Sequence, residues 1–136
     1  MSEKSREKFK RKVRELTPRN NGLSMNQVIA RLNLYLRGWV QYFRVQQFKK
    51  LFLDMDGWIR SRLRSMQLKK WKSPRKFQRI MIAVGYKEDY ARGRWVRMNR
   101  WQSVMREEVR FVMDRKWFDK FGLITLQEYS CSTLTP

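Results

Sequence analysis

Apolar residues recur at helical spacing along most of this chain, and the pattern predicts five helices. The clearest helix opens at Ser24, which is followed three residues later by Gln27, the spacing of a capping box. Its apolar positions keep a period near 3.6 residues for about four turns; they are Val28, Ile29, Leu32, Tyr35, Leu36, Trp39 and Phe43. Glycine costs about 1 kcal/mol relative to alanine in a helix interior, so we expect Gly38 to permit close approach of another backbone.

Two further predicted helices flank this one. The first runs from Ser2 to Leu16 and ends at Thr17-Pro18, because the residue before a proline disfavours helical geometry. Its narrow apolar stripe consists of Phe9, Val13 and Leu16. A turn at residues 19–22 follows it. The other helix is predicted from about Gln47 to Gln67, and its inward positions are Leu51, Met55, Ile59, Leu63 and Met66.

The second half of the chain predicts two more helices. Ser73-Pro74 supplies an N-cap and a first-turn proline, and Gly85 stands where a C-terminal cap belongs. The apolar face of this fourth helix consists of Phe77, Ile80, Met81 and Val84. Residues 86–98 are expected to form a loop. Asn99 is then expected to cap a fifth helix ending at Gly122, with an apolar face of Trp101, Met105, Val109, Val112 and Trp117. No long stretch alternates with period two, so the fold class is predicted to be all-α, with a frayed tail from Ser130.

The formal net charge is +20 over 136 residues, which indicates that this helical domain binds a polyanion. Residues 1–72 carry 19 Lys and Arg against 5 Asp and Glu, whereas residues 101–136 carry 5 of each kind. The polyanion is therefore expected to lie against the first hundred residues. An anionic membrane is disfavoured, since no apolar run approaches ~18 residues and no lipidation motif is present.

The chain has few side chains suited to catalysis or metal binding, which limits the reactions and sites that it could support. Cys131 is the only cysteine and there is no histidine, which excludes an internal disulfide, a zinc site and histidine-based acid–base catalysis. Asp54 and Asp56 lie two residues apart, so on a helix they face different directions and make a poor metal site. We interpret them as carboxylates favoured by the helix dipole. A reducing, cytoplasmic location and no cofactor are expected.

A cationic cluster on and just after the third predicted helix is the first candidate for phosphate contacts. Arg60 and Arg64 lie at i, i+4, and Lys69, Lys70 and Lys72 follow closely. Such a cluster is often only a solvated face. Because this segment has few carboxylates to pair with, a track for phosphates is the better interpretation.

Aromatic residues offer a second kind of contact, since unpaired RNA bases stack on aromatic rings. Trp71 and Trp95 are each surrounded by cations. Each indole either stacks on a base or folds inward; we expect Trp71 to fold inward and leave both alternatives open for Trp95. Periodicity assigns Trp39, Tyr42 and Phe43 to the core rather than to a stacking platform.

An ordered set of short motifs gives a family resemblance. The motifs are Leu32-Asn33, Arg37-Gly38-Trp39, Tyr42-Phe43, Trp58-Ile59-Arg60 and Arg62-Leu63-Arg64. With them the chain resembles the maturase-specific (thumb, domain X) region of group II intron reverse transcriptases, strongly from about Arg6 to Arg75 and more loosely to Tyr129. Leu34 departs from the pattern, because many members have proline there, and a helix without a break after Asn33 is expected.

The resemblance implies a domain that binds structured group II intron RNA and assists its folding and splicing. It implies a three-helix thumb-like bundle over residues 1–67, a smaller basic helical extension over residues 68–129, and a flexible tail over residues 130–136. Because the chain has no Tyr-x-Asp-Asp sequence and no room for fingers and palm, it is not expected to be an enzyme alone. One alternative is the thumb part of a split reverse transcriptase, which grips a template-primer duplex beside a separately encoded palm and fingers chain. The other is a general helical nucleic-acid-binding protein.

The predicted RNA-binding residues combine the cations of the basic segments with one tryptophan. They are Lys4, Lys8, Arg11, Lys12, Arg37, Arg60, Arg64, Lys69, Lys70, Lys72, Arg75, Arg94, Trp95 and Arg97. No catalytic or metal-binding residue is predicted.

Overall fold

Helices account for the regular structure of the protein, as the apolar periodicity predicts. The computed structural model describes residues 2–18, 22–43 and 49–129. In order, the helices are α1 (Glu3–Leu16), α2 (Met25–Phe43), α3 (Lys49–Trp71), α4 (Pro74–Ala83), α5 (Glu88–Arg92), a 3-10 helix (Trp101–Met105), α6 (Glu107–Val112) and α7 (Arg115–Lys120). A last helical turn covers residues 126–129. No strand occurs in these ranges, so the all-α prediction is confirmed.

The helix ends form where the sequence places their caps. Ser24 and Gln27 make the reciprocal bonds of a capping box: the Ser24 amide donates to Gln27 Oε1 at 2.9 Å, and the Gln27 amide donates to Ser24 Oγ at 3.3 Å. Ser73 Oγ likewise accepts from the Lys76 amide. Gly85 has φ +120°, a conformation that L residues rarely adopt, and the following Tyr86 amide donates back to the Met81 carbonyl. The predicted starts of α2 and α4 and the end of α4 are therefore confirmed.

The core begins between α1, α2 and α3. Phe9 of α1 and Leu32 of α2 are fully buried, as is Leu63 of α3. Trp39 lies half-buried between aromatic side chains of α1 and α3, with ring centroids 4.5 Å from Phe9 and 5.6 Å from Phe52. The same cluster of buried residues continues through α4 and α6 to residue 126.

Three polar side chains of α2 and α3 bind the backbone of residues 113–127, and we call them the polar anchors: Asn33, Asp56 and Arg64. Asn33 donates from Nδ2 to the Gly122 carbonyl at 2.7 Å and accepts from the Ile124 amide at 3.0 Å. Asp56 accepts from the Leu126 and Gln127 amides at 2.7 and 3.2 Å. Arg64 Nε donates to the Met113 carbonyl at 2.8 Å. Residues 113–127 are thus held in place by hydrogen bonds to side chains of α2 and α3.

Replacing Asn33 with leucine is expected to lower the free energy of unfolding by about 2–5 kcal/mol. Leucine keeps the branched shape of asparagine but leaves the partly buried Gly122 carbonyl and Ile124 amide without their side-chain partner, and an unpaired group shielded from water costs about 1–3 kcal/mol. Urea titration followed by circular dichroism measures the change. Asn26→Leu, at an exposed position of the same helix, is the matched control. Equal stability of the two variants would contradict the anchoring role.

Four details of the predicted helices are wrong. Gly38 is exposed, and a Cβ added there would meet no atom of the described residues within 4 Å, so within that part of the chain this glycine serves no close backbone approach. The expected loop after Gly85 contains α5. Val84 is exposed rather than part of the apolar face of α4, because it already lies at the C-cap. α3 extends to Trp71, past the predicted end at Gln67, so residues 67 and 68 lie inside one helix.

The predicted fifth helix is divided into three short ones. Arg106 has an extended backbone (φ −67°, ψ 136°) between the 3-10 helix and α6. Asp114 then starts α7, accepting from the Trp117 amide at 2.9 Å. Asn99 does not act as the N-cap, since that position belongs to Arg100. Gly122 does end α7, with φ +80°. The turn at residues 19–21 and the tail from Ser130 lie outside the described residues.

Candidate nucleic-acid interface

One flank of α1 presents four exposed cations, and we call it the α1 stripe: Lys4, Lys8, Arg11 and Lys12. Their spacing of i, i+4, i+7 and i+8 places them on one side of the helix. Two other cations of α1, Lys10 and Arg14, lie 5.8 and 5.6 Å from the ring of Trp58 and so pack the helix against α3. Phe9 and Val13 face the core. The stripe therefore lies on a side of α1 that is open to solvent.

Beside the α1 stripe, α1 and α2 enclose a groove of about 410 Å³. It is lined by Ser5, Lys8, Phe9, Tyr35, Trp39 and Tyr42. The expectation that Tyr42 belongs to the core is wrong, because its side chain is 80% exposed at the last turn of α2. The side chain of Phe43 lies outside the described residues. Arg37 is exposed on the same helix.

The predicted phosphate track on α3 does not form a continuous surface. Arg64 is only 8% exposed; its guanidinium donates to the Met113 carbonyl and lies 5.4 Å from the Phe118 ring. Burial, together with repulsion from Arg60 and Arg110, lowers the pKa of Arg64 to about 10. Arg60 is half-buried, and burial lowers its pKa as well. Arg64 is thus an internal structural residue, and its assignment as an RNA contact is corrected.

The other members of that cluster differ in exposure. Lys69 and Lys70 are half-buried, and Lys72 is exposed with a left-handed backbone (φ +65°) at the end of α3. Arg62 also serves the interior, because its guanidinium donates to the Thr17 carbonyl at 2.9 Å and so holds the end of α1. An arginine-rich helix sequence therefore hides two structural arginines that periodicity does not separate from surface ones.

The aspartate pair of α3 divides into two environments. Asp54 is exposed, whereas Asp56 is one of the polar anchors. Burial raises the pKa of Asp56, opposed by the two backbone amides whose hydrogen bonds it accepts and by the charges of Arg60 and Arg115. Among residues 2–18, 22–43 and 49–129, no cluster of three or more Asp, Glu, Cys or His side chains could hold a metal ion.

A second, larger groove lies between α4 and the segment after α5, and we call it the Arg–Trp groove. Its volume is about 590 Å³, and its lining consists of Arg75, Gln78, Arg79, Ile82, Arg92 and Trp95. The four residues of α4 follow the i, i+3, i+4, i+7 spacing of one helix face. The opposite face of α4 buries Phe77 and Met81. The groove therefore has a rigid cationic wall backed by the core.

Hydrogen bonds hold the facing wall in place. Gln78 Nε2 donates to the Arg94 carbonyl at 2.8 Å, and Glu108 lies 3.8 Å from the Arg94 guanidinium and 3.1 Å from Tyr90 Oη. Burial opposes ionisation of Glu108, but its own backbone amide, the Tyr90 hydroxyl and Arg106 outweigh that effect and keep its pKa below the ordinary value. The Arg94 guanidinium also lies 4.4 Å from the Tyr90 ring. Arg94 is thus engaged in contacts within the protein.

The two tryptophans that the sequence singles out have different environments. Trp71 is half-buried, with its ring centroid 6.1 Å from that of Phe77, as expected for an inward indole. Trp95, for which both alternatives were open, is 56% exposed and lines the Arg–Trp groove. Arg97 is exposed further along the same segment. The structure thus brings Arg75 and Trp95 together, but not with the α3 cluster in one continuous face.

A comparison with protein families shows which family the chain belongs to. The family described as group II intron, maturase-specific domain, matches residues 6–84, which is more than half of the chain. The chain belongs to this family. A search of curated proteins found no significant match.

The matched span of the maturase-specific domain covers α1 to α4. It includes most of the α1 stripe, all three polar anchors and the α4 wall of the Arg–Trp groove. The facing wall, with Arg92 and Trp95, lies beyond the match, as do the late backbone groups that the polar anchors bind. In the part of the chain that the structure describes, no helix is long and apolar enough to cross a membrane.

Proposed function

We propose that this maturase-specific domain binds structured RNA, the RNA of a group II intron, and assists its folding for splicing. The α1 stripe is the observation that carries the proposal, because it sets four exposed cations on one side of a helix in a segment of strong positive charge. Within the described residues only Lys12 of the stripe has an ion pair, with Glu15 at 3.7 Å. Both side chains of that pair are exposed, so it competes weakly with a phosphate.

Charge of this kind binds RNA through its backbone. Each Lys or Arg that neutralises a phosphate releases condensed counterions, and the affinity then falls as salt rises. Residues 101–136 carry equal numbers of positive and negative side chains, so the RNA is expected to bind the positively charged first hundred residues instead. The family membership supports a group II intron as the RNA, and the proposed location is the cytoplasm.

A competition experiment tests the choice of RNA. Purified chain bound to a labelled, folded group II intron RNA is challenged with unlabelled intron RNA or with random duplex RNA of the same length. The intron RNA is expected to displace the label at a lower concentration, and the chain is expected to accelerate splicing of the intron at low magnesium. If random duplex competes equally well and splicing is unchanged, the chain is a general nucleic-acid-binding protein instead.

We further infer that the domain has no polymerase activity of its own. Purified chain is expected to give no primer extension with magnesium or manganese, because metal-dependent phosphoryl transfer needs carboxylates that hold the metals, and no such cluster lies among the described residues. A reverse transcriptase of known activity in the same buffer is the positive control. Extension by the chain after removal of contaminating polymerase would contradict the inference, and extension only with a separately encoded palm chain would support the split-enzyme alternative.

A further inference from the structure

We propose that the Arg–Trp groove is a binding site for one unpaired nucleotide of RNA, with its base on Trp95 and its flanking phosphates on Arg75 and Arg79. The proposal rests on the proposed RNA-binding function and adds a site and a ligand class to it. A volume of about 590 Å³ lies within the ~300–1,000 Å³ typical of small-ligand sites.

The chemistry of the lining favours a nucleotide. Three of the six lining residues are arginines and none is a carboxylate. Arg92 is partly neutralised by Glu88, whose carboxylate lies 2.6 Å away. Among the described residues, no ion pair occupies Arg75 or Arg79. These two exposed guanidinium groups, one helical turn apart on α4, are therefore the anion-binding part of the groove.

Trp95 supplies the contact for a base. Its indole is 56% exposed, although the segment that carries it is fixed by Gln78 and by the contacts of Arg94 within the protein. Because the backbone beside the ring is held, less conformational entropy is lost when a base stacks on the indole than if the whole segment had to be ordered. Ile82 adds an apolar surface from α4. Anion-binding arginines beside an exposed indole suit a nucleotide better than a free phosphate.

The nucleotide must be unpaired. Bases within a duplex are stacked on their neighbours, whereas those in bulges, loops and ends can be turned out and stacked on an aromatic side chain. The groove therefore directs this face of the domain to irregular positions of the RNA, while the α1 stripe contacts phosphates regardless of pairing.

Two RNA hairpins test the site: one with a fully paired stem, and the same hairpin with a single unpaired 2-aminopurine in the stem. The wild-type chain is expected to bind the second hairpin more tightly and to quench its 2-aminopurine fluorescence. Trp95→Ala is expected to weaken binding of that hairpin by about 5- to 140-fold, the equivalent of ~1–3 kcal/mol at 1.4 kcal/mol per tenfold change. Its affinity for the paired hairpin is expected to stay within about 2-fold, since the cations that bind phosphates remain.

Matched variants separate stacking from other effects. Trp95→Phe is expected to retain most of the preference, and Trp101→Ala, at another exposed indole outside the groove, to change neither hairpin. The double change Arg75→Gln and Arg79→Gln is expected to lower the salt dependence on the bulged hairpin by about 0.7 for each phosphate that is no longer neutralised. Arg100→Gln and Arg110→Gln, both exposed and outside the groove, are the charge-matched control. Circular dichroism melting confirms that each variant is folded.

The outcomes distinguish failure of the site from failure of the proposed function. If Trp95→Ala weakens both hairpins equally, or neither, the site is overturned while RNA binding by the domain stands. If the wild-type chain binds neither hairpin but binds folded intron RNA, the site is overturned and the proposed function stands; if it binds none of the three RNAs, both fail. If poly-aspartate binds the wild-type chain and Trp95→Ala abolishes that binding while both hairpins are unaffected, the groove serves an acidic polypeptide and the nucleotide proposal is overturned.

Discussion

Replacing Lys4, Lys8, Arg11 and Lys12 together with glutamine is expected to weaken binding of intron RNA by about 10³-fold at ~0.1 M salt, when all four side chains contact phosphates. Each neutralised phosphate contributes about 0.7–0.9 to the slope of log affinity against log salt, so the slope is expected to become shallower by about 3. All four residues are exposed on one side of α1, and glutamine is a good helix former. Filter binding over a salt series measures both quantities.

The control set for this change lies on the last helices. Arg110, Lys116 and Lys120 are exposed cations in the segment whose charges balance. Their replacement with glutamine is expected to change RNA affinity several-fold at most. Equal reductions in affinity per charge from the two sets would mean that the positive charge acts as a diffuse field, and the α1 stripe would then have no special role.

Replacing Arg64 with alanine is expected to lower the free energy of unfolding by about 3–5 kcal/mol, the largest stability effect of a single side chain that we predict. The change leaves the buried Met113 carbonyl without its donor and removes the guanidinium from the Phe118 ring. It also removes the packing of the buried side-chain stem. Chemical denaturation measures the decrease in stability.

Two further variants define what Arg64 contributes. Arg64→Met keeps the packing of the stem and removes only the polar interactions, so a smaller destabilisation of about 1–3 kcal/mol is expected. Arg37→Ala, at an exposed position of α2, is expected to change stability by less than about 0.5 kcal/mol. If Arg64→Ala unfolds at the same denaturant concentration as wild type yet binds RNA poorly, Arg64 is a surface contact after all.

The apolar pattern predicted the first four helices well because each is long or carries its own cap. Ser24, Gln27 and Ser73 make the bonds that their spacing predicts, and these bonds are local. The pattern failed after residue 100, where Val104, Val109, Val112 and Phe118 are all buried but belong to three separate helices. Spacing alone does not record the extended backbone at Arg106 or the new N-cap at Asp114.

The candidate site was predictable only in part, for a related reason. Net charge and the alternation of Trp with Arg singled out α1 and the segment around Trp95, and the cations of the α1 stripe and the Trp95 indole are exposed. The roles of Arg62, Arg64 and Asp56 depend on backbone groups far away along the chain. Such pairings carry no local signal, and the sequence pattern therefore indicates only surface or helix-dipole charges at these three positions.

The polar anchors have a consequence for the order in which the newly made chain can fold. Asn33 binds backbone groups 89 and 91 residues later in the chain. Asp56 binds groups 70 and 71 residues later, and Arg64 binds one that is 49 residues later. Until those later residues leave the ribosome, the side chains of the three polar anchors lack these hydrogen-bond partners. Burying an amide, a carboxylate and a guanidinium without partners would be costly. The first three helices are therefore expected to stay loosely packed during synthesis and to lock together only when residues 113–127 arrive.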